Sequence, residues 1–367
     1  MKELLDKKLK LNISSHYVME LLLILSLYWI CDEAGIKKYG IVLLLSIFFT
    51  WLSRKKKCSI EAVICTALPM TIYLFMGSVG ALLSAHFYDS TIKIILFCTL
   101  PYLLVFSFYV YYGKDMERIV DYQMIASCMV FFKPNPLEII VALHFETVYA
   151  FTFGLFVLYY AYKKRWGMFT LAMIFMYMSD KRIAFLAVGA ALIVMGSLWL
   201  FRNNRKLAVF IWSVVSIAVN FYVYFIYSGK LEYLCQGMGI NTNGRVKMFG
   251  LFAEWFDREF LWFGKGIGVV EKLLENWKFS DFANLHNDLL KFYIELGFLG
   301  LLLLLLGFAI CFFRAGRKIG KSQMAFLLVM AVYSIVLFAT DNVSIYVLYL
   351  IPMYSMCFAV LASTEKS

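Results

Sequence analysis

No Cys-x-x-Cys pair and no two histidines at metal-ligand spacing occur among the 367 residues, although there are eight cysteines and four histidines. All the cysteines but Cys235 lie in or beside apolar runs, where a thiol behaves as a small hydrophobe. That excludes a zinc or disulfide framework, and neither a metal nor a disulfide is expected. The phosphate-cradling Gly-x-x-x-x-Gly-Lys-Ser/Thr loop and the dinucleotide fingerprint are also missing, so nothing indicates ATP, NAD or another cofactor. The run Gly264-Lys265-Gly266-Ile267-Gly268 is too short to serve as either. No small-residue cleavage site follows a short apolar core at the N-terminus, so Met1 to Ser15, with Lys2, Lys7, Lys8 and Lys10, reads as a retained cytoplasmic tail.

What the sequence has is apolar surface. It is 62% hydrophobic and 18% aromatic with a mean hydropathy of +0.77, far beyond a soluble domain. An all-α, polytopic integral membrane protein follows, with residues 1–367 as a single membrane domain. The net charge of +11 raises the question of nucleic acid, but the basic residues sit in short clusters between apolar runs. Arg54 to Lys57, Lys163 to Arg165, Arg202 with Arg205-Lys206, and Arg314 with Arg317, Lys318 and Lys321 occupy alternate joints, which is an orientation signal. The partner is a lipid bilayer, not nucleic acid.

Hydrophobic runs predict about twelve transmembrane helices, at roughly 16–31, 39–53, 58–82, 91–112, 119–133, 137–162, 167–180, 182–201, 207–227, 286–313, 323–340 and 343–361. Both termini are then cytoplasmic. One joint, 228–285, is long enough to fold by itself and falls outside. Its basic and acidic residues balance, unlike those of the inner joints. Val246, Phe249, Ala253, Phe256 and Phe260 recur at helical spacing, so Gly244 to Phe260 reads as an amphipathic helix lying on the membrane. The glycine run breaks it, Val269 to Phe279 forms a second helix, and Trp255, Trp262 and Trp277 suit the interface.

The ionisable residues at the outer mouths of the spans are the functional candidates. His286, in Asn-Leu-His-Asn-Asp, opens an apolar helix, with Glu295 about two and a half turns deeper and in want of a partner. The bland alternative is an interfacial histidine. Arg245 begins the loop helix after Asn241-Thr242-Asn243-Gly244, where a guanidinium and free N–H groups converge on an anion or simply meet solvent. Arg182, in Met-Ser-Asp-Lys-Arg, reads either as a site residue or as an arginine snorkelling to the interface. His144 and Glu146 lie near another outer end and either flank the same cavity or bond within the protein. Asp341-Asn342 reads as a short outer turn and nothing more.

Taken together, Asn243-Gly244-Arg245, the glycine run and His286-Asn287-x-x-Leu290 with Glu295-x-Gly297-x-x-Gly300 resemble the O-antigen ligase and polymerase family. The likeness is strongest over Asn241 to Leu306. A weaker one covers Ser179 to Phe185, where Asp180-Lys181 stands in place of the small residues that usually precede the arginine, and no proline precedes Gly264. The resemblance implies a metal-independent glycosyltransferase of the cytoplasmic (inner) membrane with an extracytoplasmic active site. Its donor would be an undecaprenyl-diphosphate-linked oligosaccharide, its acceptor a glycan hydroxyl, and polysaccharide-assembly proteins would be partners. His286, Arg245 and Arg182 would be catalytic, the histidine as base and the arginines on the diphosphate. Asn287, Glu295, His144 and Glu146 would bind substrate. A repeat-unit polymerase for capsule, exopolysaccharide or O-antigen is favoured over a ligase. A flippase for a lipid-linked oligosaccharide is the alternative from another class, and it is disfavoured by the lack of an internal repeat.

Overall fold

A computed structural model describes residues 15–32, 37–54, 56, 58–84, 88–133, 146–238, 245–276 and 285–362. Of the described residues 85% are helical, and none is in a strand. Among the described residues nine helices precede the long joint: α1 (Ser15–Asp32), α2 (Lys37–Leu52), α3 (Ile60–Ser84), α4 (Asp89–Tyr112), α5 (Met116–Phe131), α6 (Tyr149–Tyr162), α7 (Trp166–Met178), α8 (Arg182–Leu200) and α9 (Arg205–Tyr227). Three short ones lie within it, α10 (Lys230–Gly237), α11 (Arg245–Trp255) and α12 (Val269–Asn276), and α13 (Asp288–Lys318), α14 (Lys321–Phe338) and α15 (Val347–Ala362) follow.

The twelve apolar helices stand where the hydrophobic runs predict, except that the expected span 137–162 lies partly outside the described residues and its helix starts at Tyr149, but length divides them. Among the described residues six runs are long and apolar enough to cross a bilayer, and one of these, Asp89–Phe131, joins α4 to α5 over 43 residues. A straight helix of that length would reach about 65 Å, twice the hydrocarbon thickness. Gly113, at φ 56° and ψ −117°, interrupts it and a 3₁₀ turn follows. Helices α2, α6, α7 and α15 are apolar but shorter. A multi-pass membrane protein is therefore established, whereas twelve full crossings are not.

Burial sorts the helices further. All of α6 from Tyr149 to Ala161, and nearly all of α14 and α15, are buried. Helices α2, α8 and α9 instead expose Leu44, Ile193, Leu200, Ile217 and Phe221, an apolar outer belt that only hydrocarbon would solvate. At one end of the bundle, carboxylates and cations tie neighbouring helices. Arg118 Nε reaches Glu20 at 3.0 Å, Arg165 holds both oxygens of Asp121 at 2.8 and 2.9 Å, and Arg314 Nη2 meets Glu61 at 3.0 Å. These are the ends that the basic joints assign to the inside.

At the other end the long joint does more than cover the bundle. Helix α11 stops at Trp255, short of Phe260, because Asp257 and Arg258 turn left-handed and the Arg258 N–H bonds back to the Ala253 carbonyl at 2.8 Å. The following segment, Leu261 to Gly268, then enters the bundle, contrary to a loop that only lies on the surface. It meets α13 where that helix breaks at Gly297 (φ 75°, ψ 178°). The N–H groups of Lys265 and Gly266 donate to the carbonyls of Ile294 and Glu295 at 2.9 and 3.1 Å, and those of Phe298 and Leu299 donate to Leu261 and Trp262 at 2.7 and 3.2 Å. A break within an apolar span is tolerable only when the freed backbone groups are satisfied in this way.

Glycine makes the approach feasible. A side chain at Gly297 would need a disfavoured φ and would strike the Phe263–Gly264 backbone, while a Cβ on Gly80 of α3 would lie 2.8 Å from the Gly264 carbonyl oxygen. The glycine run is thus a buried seam between α3 and α13, about 13 Å below the start of α13 at 1.5 Å per residue. Residues 277–284, and with them Trp277 and the expected end of the second loop helix, lie outside the described residues.

Candidate active site

The site is built on two turns held against each other, one leading into α13 and the other joining α14 to α15. Helix α13 begins at Asp288, not at His286, and Asn287 is its cap: Asn287 Oδ1 accepts the Leu290 N–H at 2.9 Å. Asn287 Nδ2 donates to Tyr222 Oη at 3.1 Å. Both ends of this amide are therefore committed to the protein, which differs from the substrate-binding part expected for it. Asp288 locks the second turn by accepting the Ser344 N–H at 2.8 Å and the Ser344 hydroxyl at 2.7 Å. The Asp288 N–H donates to the Asp341 carbonyl at 3.3 Å.

His286, just ahead of the cap, adopts φ 52°, a left-handed conformation uncommon outside glycine and often found at functional sites. The turn aims its ring at the other loop, with Nδ1 3.4 Å from Asp341 Oδ1. His286 is 28% exposed by side chain and Asp341 only 6%, so the imidazole is reachable while its partner is not. Asp341 Oδ1 also accepts the Asn342 N–H at 2.8 Å and the Tyr346 hydroxyl at 3.0 Å. Burial by itself would raise the Asp341 pKa, but the hydrogen bonds from His286, Asn342 and Tyr346 outweigh it and hold the carboxyl below its ordinary value. Asp341 is thus a buried anion facing a histidine and not a bare turn residue. A carboxylate at a membrane mouth was the signal available for it in the sequence.

The cations stand differently. Arg245 is the first residue of α11, half-buried, and makes no hydrogen bond or ion pair among the described residues. Its charge nevertheless reaches the site, since it helps to lower the pKa of Glu146 and counteracts the rise at Tyr346. Glu146 is held low chiefly by a 2.7 Å hydrogen bond from Lys181. Lys181, passed over in the sequence, precedes α8. The Ser179 carbonyl just before it accepts the Thr147 N–H at 3.1 Å, joining the turn before α8 to the strand of chain that carries Glu146. Arg182 opens α8, is exposed, and has no partner among the described residues. The structure therefore brings His286, Asp341, Tyr346, Arg245, Glu146 and Lys181 into one electrostatic neighbourhood, with Arg182 beside Lys181 but not among the charges that act on Glu146. His144, Asn243 and Gly244 lie outside the described residues.

Glu295 has the partners its depth demands, and they point away from the mouth. One oxygen accepts the Tyr73 hydroxyl at 2.7 Å and the other the Gly268 N–H at 2.8 Å. One turn above, buried Lys291 is ion-paired with Glu271 of α12. Instead of lying open to a substrate, Glu295 fastens the glycine seam to α3 and α13. No sequence pattern announces this, because Tyr73 and Glu295 are 222 positions apart.

Chemically, the arrangement offers a base with a free nitrogen. If Nδ1–H donates to Asp341, the other ring nitrogen, Nε2, carries the lone pair and can take a proton from a hydroxyl, while the guanidinium of Arg245 is available to an anion nearby. Residues 166–305 match the family described as O-Antigen ligase, in agreement with the resemblance read from the sequence. The matched stretch contains Arg182, Arg245, His286, Asn287 and Glu295 and ends before Asp341. No curated protein matches the chain, and no solved structure does.

Proposed function

From an O-antigen ligase domain at residues 166–305, we propose that this chain is a membrane glycosyltransferase that polymerises undecaprenyl-diphosphate-linked oligosaccharide repeat units on the outer face of the cytoplasmic membrane. The observation that carries this reading is the His286–Asp341 pair, 3.4 Å apart at a mouth shared with Arg245. In the proposed reaction Nε2 of His286 removes the proton of an acceptor hydroxyl, whose oxygen forms the new bond to the anomeric carbon of the donor sugar. The bond from that carbon to the diphosphate breaks, and the leaving diphosphate keeps the electron pair. Asp341 stabilises the imidazolium that results. Arg245 and Arg182 act on the charge that grows on the phosphate oxygens, where a fixed guanidinium counts for more than in the ground state.

The ligase reaction is the second reading, and the family match is equally compatible with it. It uses the same donor and differs only in the acceptor. The flippase alternative gains one feature, since a broken span with buried Lys291 and Glu295 is a transporter trait. Against it, the backbone groups of Ile294, Glu295, Phe298 and Leu299 beside the break are bonded to Leu261–Gly266, so these four do not serve a transported ion. Incubating the purified protein in detergent with a lipid-linked repeat unit tests the proposal. A ladder of lengthening chains is expected. Transfer only when a separate glycolipid acceptor is added would make the protein a ligase, and an unconsumed donor in both reactions would sink the glycosyltransferase reading.

A further inference from the structure

The His286–Asp341 distance of 3.4 Å is too long for the pair to hold itself together, so its geometry depends on what fixes the two turns. Asp288 supplies part of the answer through Ser344 and the Asp341 carbonyl. A hydroxyl supplies another tie. Tyr222, on α9, donates to the Ala339 carbonyl at 2.5 Å and accepts from Asn287 Nδ2 at 3.1 Å. Ala339 lies two residues before Asp341, and Asn287 is next to His286. A single phenol therefore joins the backbone that carries the acid to the side chain adjoining the base.

Neither partner can replace the other's role, since the carbonyl only accepts and the amide nitrogen only donates; a hydroxyl does both at once. The Asn287 amide has no slack to compensate, because its oxygen is already the helix cap. Tyr222 differs from the polar and aromatic residues beside it. Its neighbours Phe221 and Tyr224 are exposed on the apolar outside, and Asn220 donates to its own helix at Ser216.

We propose that Tyr222 is a positioning residue for the base. Its hydroxyl sets the approach of His286 to Asp341, and so the aim of Nε2 at the acceptor. This assignment rests on the glycosyl transfer proposed above. Misplacing a reacting group by about 1 Å can cost on the order of a hundredfold in rate, so removing one tie of several should cost about tenfold. The loss belongs in turnover, because the Tyr222 hydroxyl acts through Asn287 and Ala339.

Tyr222→Phe removes the hydroxyl and little volume, and Asn287→Ser keeps a capping oxygen while losing the donor to Tyr222. Two measurements are made on the purified full chain of each variant and of Tyr224→Phe as a control. The first is glycan transfer, with kcat and KM separated. The second is the rate at which diethyl pyrocarbonate modifies His286, located by peptide mass spectrometry, which reports the freedom of the imidazole and needs no turnover. We expect Tyr222→Phe to lose about tenfold in kcat with KM within about twofold, and His286 to react at least about threefold faster. Asn287→Ser should follow in the same direction, and Tyr224→Phe should match the parent in both. If the parent transfers no glycan but the reagent still singles out Tyr222→Phe, the tie stands and only the proposed reaction falls. Unchanged His286 reactivity in both Tyr222→Phe and Asn287→Ser would overturn the positioning role, whatever happens to kcat.

Discussion

The histidine and the cations at the mouth of the candidate site are built in opposite ways. His286 sits in a frame where its neighbours Asn287 and Asp288, and its partner Asp341, all have their hydrogen bonds made within the protein. Arg245 and Arg182 stand at the first residues of their helices without a partner among the described residues. At the opposite end, Arg118, Arg165 and Arg314 are each held by a carboxylate. A proton acceptor must be aimed before the substrate arrives, whereas a guanidinium meant for an anion is most useful with its donors unspent. The difference separates residues that prepare a geometry from residues that await a ligand.

The comparison breaks first at the base. His286→Ala should lower glycan transfer by about 10² to 10⁴ with normal membrane insertion, and near-parental chain growth would remove it from the mechanism. Asp341→Asn should come next, at about a hundredfold, because the amide can present its N–H to the ring and favour the wrong tautomer. The same substitution sharpens the reading through pH. The folded carboxyl titrates below its ordinary value, so its stabilising contribution is complete above about pH 4 and disappears as the pH falls through the lowered folded value. The parent's melting temperature should therefore drop more steeply than that of Asp341→Asn in acid below about pH 4, and parallel curves would mean that the carboxylate is not held as an anion.

The arginines should give the smallest effects. Losing one charged hydrogen bond costs about 1.5 to 3 kcal/mol, so turnover should fall about thirtyfold for Arg245→Ala and about tenfold for the more exposed Arg182→Ala. Lysine at either position keeps the charge but not the planar fork and should cost less than alanine, near threefold. Donor binding measured alongside should change less than turnover. Normal chain growth by both alanine variants would make these arginines interfacial anchors.

Much of the helical layout was legible because each apolar run is long and local, and the edges of α3, α8 and α9 fall within a few residues of where the hydropathy ends. The surroundings of the site were legible only in part. His286, Arg245 and Glu295 are conspicuous as ionisable groups in apolar company, and that signal needs no partner to be seen. Asp341 carries only the weak mark of a carboxylate in a short turn at a membrane mouth, and Tyr222 and Tyr73 carry none, since tyrosines within apolar helices are ordinary until the fold brings them opposite Asn287 and Glu295. Periodicity also misplaced the end of α11, because two left-handed residues, Asp257 and Arg258, stop a helix whose apolar spacing runs on to Phe260.

The interrupted span has a consequence for biogenesis. Hydrocarbon offers nothing to a bare peptide group, so α13 on its own, with the chain broken at Gly297, would be a poor candidate for lateral release into the lipid. Its missing hydrogen-bond partners are in Leu261 to Gly266, which are translated earlier, and α3, which closes the seam at Gly80, earlier still. The long joint is therefore not a module that can be exchanged between proteins at its two ends. A chimera would have to carry over the loop, the glycines of α13 and the small-residue face of α3 together, since these three distant stretches of sequence complete a single piece of backbone.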